Sequence, residues 1–211
     1  MTRLLIDRRS LLRLGGSAGL AGLMPFARAV ADPAAVALIQ NFCNALIQVM
    51  RLGATTPFSQ RLNVLAPAID ATFDLYRILQ VSVGLGWSAT PPAQRAALQT
   101  AFRTYTIASY VNHFDSYTGQ RFTVSPTTRS LSNGDQVVAT QFLSPSGESH
   151  KLDYVMNRGA RGWRAVDVLQ DGTISQVAVQ RSDFRQTLQR GGAPALVASL
   201  QRKTQQLSRG A

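Results

Sequence analysis

The chain of 211 residues is poor in the side chains that most enzymes use. It has a single cysteine, Cys43, a single glutamate, Glu148, two histidines, His113 and His150, and two lysines, Lys151 and Lys203. One cysteine excludes an intramolecular disulfide. It lies within an apolar helical pattern, Val36 to Ile47, where a thiol reads as buried packing. Metal ligation is poorly served, because Cys43, His113 and His150 are isolated from one another in the chain. His113 and Asp115 fall two apart on a helix and point away from each other, so no triad forms there. Asp70 and Asp74 lie one turn apart with Arg77 nearby, which reads as a solvated helix edge. Gly84-Leu85-Gly86 lacks the third glycine of a dinucleotide loop, and no Gly-x-Ser-x-Gly elbow occurs. No cofactor motif is found, and the residues do not read as an enzyme.

Long hydrophobic runs are scarce too. Arg8-Arg9, within Asp7-Arg8-Arg9-Ser10-Leu11-Leu12-Arg13, is a near match to a twin-arginine export signal, and a Gly-rich apolar stretch runs from Leu14 to Leu23. Ala29-Val30-Ala31 then offers a small-x-small cleavage site. That stretch is shorter than the roughly 20 apolar residues a membrane span needs. Residues 1–31 are therefore expected to be a cleavable export signal and 32–211 one domain, placed in the periplasm. Asp32, not a cysteine, stands directly after the cleavage site, so no lipid anchor is indicated.

Charge of one sign dominates: 22 basic residues against 11 acidic give a formal +11. Five arginines and Asp7 belong to residues 1–31, leaving 17 basic and 10 acidic residues and a charge of +7. In an exported protein this favours anionic membrane surfaces or lipid headgroups over nucleic acid. Arginine-rich composition alone gives the same balance.

What is present is a regular alternation of patterns. Val36, Ile39, Phe42, Cys43, Leu46, Ile47 and Met50 recur at three and four, predicting a helix from Pro33 to Leu52. A second helical region covers Phe58 to Val83, with a candidate break at Pro67. Thr90-Pro91 opens a third, capped by Thr90 and running to about Tyr117. Its apolar content is broad, so it should be covered on more than one side. From Arg121 to Leu169 the period is two, and Asn133-Gly134, Pro145-Ser146-Gly147 and Gly159 to Gly162 separate four strands. Helices return from Ser182-Asp183, with a turn at Gly191-Gly192. The expectation is one α+β domain, helices packed on a curved four-stranded antiparallel meander. Pattern alone leaves open whether they close over a packed core or a cavity.

Several collinear segments resemble the MlaC-like family of periplasmic lipid shuttles, soluble partners of ABC-type phospholipid transport systems. They are Thr72-Phe73-Asp74, Gly84-Leu85-Gly86-Trp87 and Ala89-Thr90-Pro91-Pro92-Ala93-Gln94-Arg95, the last followed by Phe102 and Tyr105. Then come Tyr117-Thr118-Gly119-Gln120, Trp163-Arg164-Ala165-Val166-Asp167-Val168 and Arg181-Ser182-Asp183-Phe184. The family commonly has Glu-Gly-Val-Ser after the Trp-bearing strand, where this chain has the longer Asp171-Gly172-Thr173-Ile174-Ser175. The string from Asp171 to Phe184 looks more like the hopanoid-associated HpnM branch. The twin-arginine signal also departs from the general secretory signal expected of the family.

The resemblance implies a deep apolar pocket and a non-covalent carrier of phospholipid or a hopanoid-type lipid. Its implied partners are an inner-membrane ABC transporter complex and an outer-membrane lipoprotein complex. Burying the tails matters because roughly 30 methylenes, each worth about 0.8 kcal/mol, keep a diacyl lipid out of water. On this basis the pocket candidates from the helices are Phe73, Tyr76, Leu79, Leu98, Phe102 and Tyr105. Those from the strands are Val138, Phe142, Leu152, Tyr154, Met156 and Val166. The alternative is a non-catalytic accessory or scaffold subunit, which would have a filled core and an apolar or basic patch outside.

Overall fold

The computed structural model describes residues 32–209, and the expected export signal lies outside them. Helix α1 (Pro33–Leu52) begins where Asp32 accepts hydrogen bonds from the amides of Ala34 and Ala35, with Pro33 in the first turn. It is long and apolar enough to cross a membrane. Its inner face, including Ile39, Phe42, Cys43, Leu46 and Val49, is instead buried in the core.

Helix α2 (Phe58–Thr72) runs straight through Pro67, and the expected break falls six residues later. Phe73 leaves the helix in an extended conformation and bridges Ala165, while the Asp74 amide donates to the Ala165 carbonyl at 2.9 Å. Asp74 then caps α3 (Leu75–Val83) through the Arg77 amide. This detour drives the Phe73 ring inward. Asp70 does not share its partner with Asp74: it forms a bidentate pair with Arg103, both side chains well exposed. Such a pair adds little stability.

A 3₁₀ turn, Gly84–Trp87, leads to α4 (Pro92–His113). Thr90 does not cap that helix. Its hydroxyl bonds the Gly86 carbonyl, and Pro91 holds the cap position. The helix also stops at His113, short of Tyr117.

Five strands come next, not four: β1 (Arg121–Ser130), β2 (Gln136–Leu143), β3 (Ser149–Gly159), β4 (Gly162–Gln170) and β5 (Ile174–Ser175). They form one antiparallel meander in chain order. The two-residue β5 is too short to show a period, so only the turn at Asp171 and Gly172, both at positive φ, marks it. Helix α5 (Gln176–Arg209) starts six residues before Ser182, because Asp167 accepts from the Val177 amide and Ser175 from that of Ala178. It kinks at Gly191-Gly192, as the sequence predicts, with Gly192 at φ +61°.

The core lies between α1 and one face of the sheet, with α2 to α5 packed beside it.

Candidate functional site

Seven aromatic rings form a continuous tract from the core to the edge of the sheet. Phe42 on α1 stands edge-on to Phe73, Tyr110 and Tyr154 at 5.2, 5.4 and 6.0 Å. Phe73 also meets Tyr110 and Tyr154 at 5.7 and 6.2 Å. Tyr110 stacks at 6.1 Å on Phe114, which caps the C-terminus of α4 four residues later. Phe114 in turn meets Phe142 at 5.7 Å and Phe122 at 6.0 Å, and these last two are 4.9 Å apart on paired strands. Phe42, Phe73 and Tyr154 are buried, whereas Tyr110, Phe114, Phe122 and Phe142 are half-buried. Among the described residues, Phe114 is the ring that joins the inner four to the outer two.

The sheet is loosely laced beside this tract. The β1–β2 ladder breaks between Val124 and Thr128, and β2–β3 pairing lapses at Ala139-Thr140. There the Thr140 hydroxyl donates to the Leu152 carbonyl at 2.6 Å. A β-bulge between Val155 and Met156 interrupts β3–β4. Arg121, next in chain to Phe122, and His150, opposite Phe142 in register, are exposed at the same end of the sheet.

The inner tract resists charge. Burial pushes the Cys43 thiol up to about 12. Burial likewise raises the hydroxyls of Tyr110 and Tyr154, with the neighbouring Cys43, and for Tyr154 also Tyr110, adding to the effect. No hydrogen bond to either hydroxyl is formed among the described residues. The site suits a neutral, apolar guest rather than acid–base chemistry.

The sequence-based candidates are distributed unevenly. Phe73, Phe142 and Tyr154 belong to the tract. Val138 pairs with Tyr154, Met156 follows it on the same face, and Leu152 is half-buried two residues before it. Val166 falls in the bulge, between Ala165 opposite Met156 and Asp167 opposite Val155. Leu79 is fully buried on α3. Leu98 and Phe102 are buried in α4, with Phe102 edge-on to Phe184 of α5 at 6.3 Å. Tyr105 lies under the Lys203 ammonium, and Tyr76 is 47% exposed against Trp87. Sequence reasoning missed Phe42, Tyr110, Phe114 and Phe122. The i, i+4 spacing of Tyr110 and Phe114 was the available signal.

The expected open pocket is not formed. Two hollows among the described residues are open grooves. One, about 670 Å³, runs between α4 and α5, lined by residues such as Thr100, Thr104, Val197 and Gln201. The other, about 400 Å³, lies over the β1–β2 break beside Thr123, Ala139 and Lys151. Neither is lined by any of the twelve candidates. His113 is exposed with its Nδ1 2.7 Å from the Ser109 carbonyl, and no metal-ligating group of three forms among the described residues.

A family profile described as MlaC protein matches residues 40–202. The chain belongs to the MlaC family. The match spans α1 to α5 and takes in all seven rings of the tract. Among solved structures, the MlaC chain is similar to a phospholipid-binding protein from Ralstonia solanacearum, determined in complex with a phospholipid. The likeness has a TM-score of 0.70 at 23% identity, covering 82% of this chain and 98% of the other, and it establishes the shared fold.

Proposed function

We propose that this chain is an exported, periplasmic phospholipid carrier whose aromatic tract receives the lipid tails. The observation that carries the reading is the run of seven rings from a charge-excluding interior to half-buried positions at the sheet edge. MlaC membership and the fold shared with a protein crystallised with phospholipid support it. The rings pack on one another. A tail would part them where the strand ladders are already interrupted, trading ring–ring contact for ring–methylene contact at little net cost. The headgroup stays at the edge, where Arg121 meets phosphate. Residues 1–31 direct export. The carrier collects lipid at an inner-membrane ABC transporter complex and exchanges it with an outer-membrane lipoprotein complex. A hopanoid-type lipid is the other cargo that the tract suits, since flat rings stack on aromatic walls.

A specific observation favours a second reading. A core whose side chains pack on one another, with exposed apolar side chains elsewhere, is what a non-catalytic accessory subunit would have. Mass spectrometry of an organic extract, from protein purified without detergent from its native host, separates the two. Stoichiometric phospholipid or hopanoid establishes the carrier and names the cargo. An extract that stays clean after incubation with labelled phospholipid vesicles sinks the carrier and leaves the accessory subunit.

A further inference from the structure

Away from the aromatic tract, the turn between α3 and α4 is built to hold one apolar side chain in water. Leu85 is 93% exposed, far more than any other large hydrophobic residue described. The turn itself sets that position. Gly84, at φ +73°, turns the chain outward, and Trp87 is buried at the base with its ring 5.6 Å from Tyr76. The Thr90 hydroxyl donates to the Gly86 carbonyl at 2.8 Å, and the Thr90 amide to that of Trp87. A leucine fixed outward by its own turn is not a side chain waiting to collapse onto the core.

Its surroundings are amphipathic. Tyr76 and Val81 of α3 are exposed, and Ser82 at the end of that helix donates a hydrogen bond to Gln180 of α5. The Arg181 guanidinium lies against the Gly84 Cα, so close that a Cβ there would meet its Nη2 at 3.3 Å. Arg77 and Arg185 stand on the same two helices, and none of the three arginines has a carboxylate within ion-pair distance among the described residues. Asp74 caps α3, and Asp183 is exposed on α5. Isolated apolar tips among arginines suit a fluid anionic surface that moulds around them. A protein partner would instead need a broad, shape-matched face.

We propose that the Gly84–Trp87 turn is a membrane-anchoring knuckle. It seats Leu85 among the acyl chains of an anionic phospholipid surface, while Arg77, Arg181 and Arg185 meet the headgroup phosphates. The knuckle brings the protein to a bilayer and is separate from the tract that holds a tail.

The test is vesicle flotation of the full mature chain with equal parts phosphatidylcholine and phosphatidylglycerol, beside phosphatidylcholine alone. Wild type floats with the anionic vesicles only, and less so as salt rises. Leu85→Asp lowers the apparent affinity about tenfold or more, the loss of one buried leucine, and Arg181→Gln lowers it about fivefold. Melting temperature and extractable lipid stay at wild-type values in Leu85→Asp, because its side chain touches solvent and not the tract. Failure of wild type to float, or equal flotation of Leu85→Asp and wild type, overturns the proposal. Equal flotation with lipid transfer lost only when a transporter complex is present assigns the knuckle to a protein partner instead. The carrier reading stands or falls separately, on the lipid extract.

Discussion

Phe114 is the position at which the carrier reading is most exposed to refutation. Its half-buried ring joins the inner rings to Phe122 and Phe142 through three aromatic contacts of 5.7 to 6.1 Å. A fully buried Phe→Ala change costs about 3–5 kcal/mol, so half-burial sets Phe114→Ala at about 2–3 kcal/mol. In a domain of this size that lowers the melting temperature by about 5–10 °C. If the ring must swing aside before a tail passes, the same contacts are part of the barrier to uptake. Removing them then accelerates uptake about 30- to 100-fold, at 1.4 kcal/mol per decade. The assay is the rate at which delipidated protein takes a fluorescent phospholipid from vesicles, with Phe102→Ala as control. Phe102 is fully buried against Phe184 on the α5 side, outside the tract, so its loss destabilises at least as much. It should leave the uptake rate alone. Equal acceleration in both variants would mean that general loosening admits lipid. A destabilised Phe114→Ala with an unchanged rate removes the ring from the path.

Arg61 is buried with no carboxylate partner among the described residues; its Nε and Nη1 bond the carbonyls of Thr56 and Val111, and its Nη2 has no hydrogen-bond partner. Desolvation of the guanidinium offsets most of what those bonds contribute, so Arg61→Met stays within about 2 kcal/mol of wild type and Arg61→Ala, which leaves a cavity, costs about 3–5 kcal/mol in urea unfolding. Equal losses in the two variants would show that the hydrogen bonds outweigh desolvation. Tyr154→Phe deletes a hydroxyl that no described residue hydrogen-bonds, and should raise stability by about 1 kcal/mol; a loss of that size would mean the hydroxyl has a partner. The Cys43 thiol is raised from its usual 9.0 to about 12 by burial, so the unfolded chain releases that proton first. Stability from this group is complete below pH 9.0 and is lost as pH climbs towards about 12. Cys43→Ala should flatten the first part of that decline in urea midpoints, and an unchanged slope would contradict a buried thiol.

Period and turn chemistry made most of the architecture readable. Asn133-Gly134, Ser146-Gly147 and Gly159 to Gly162 place the hairpins, and Gly191-Gly192 places the kink in α5. The errors share a cause, which is tertiary structure overriding a local rule. Pro67 did not break α2, whereas Phe73 did, because β4 offers it a bridge and Asp74 can cap α3 directly after it. Thr90 reads as a cap but bonds back to Gly86, since the turn below it needs that carbonyl satisfied. Helix α5 begins early because its caps come from Asp167, nine residues before Gln176, and from Ser175. The tract was legible only in halves. Strand alternation gave Phe142 and Tyr154, but Phe42, Tyr110 and Phe114 lie on two helices whose relative placement no local pattern encodes.

That the rings of the tract meet one another bears on how such a protein could work at all. An open cavity large enough for two acyl chains would leave its lining without partner atoms, and each missing contact would destabilise the empty state. Here the Phe42 ring meets Phe73, Tyr110 and Tyr154 edge-on, so these rings supply one another's dispersion contacts. The cost of parting them is then the term that holds down affinity. For a carrier this is useful, because lipid held with the full transfer energy of its tails would never be released to a membrane. Rings also suit the exchange better than aliphatic side chains. They present flat faces to a chain or a polycycle and regain several favourable mutual geometries once it leaves. Replacing the tract by aliphatic residues of similar volume should therefore preserve folding but shift the balance between loaded and empty forms. Loaded fraction after equilibration with vesicles measures that shift directly. An unchanged fraction across Phe42→Leu, Phe73→Leu and Phe142→Leu would mean that ring–ring packing plays no part in setting it.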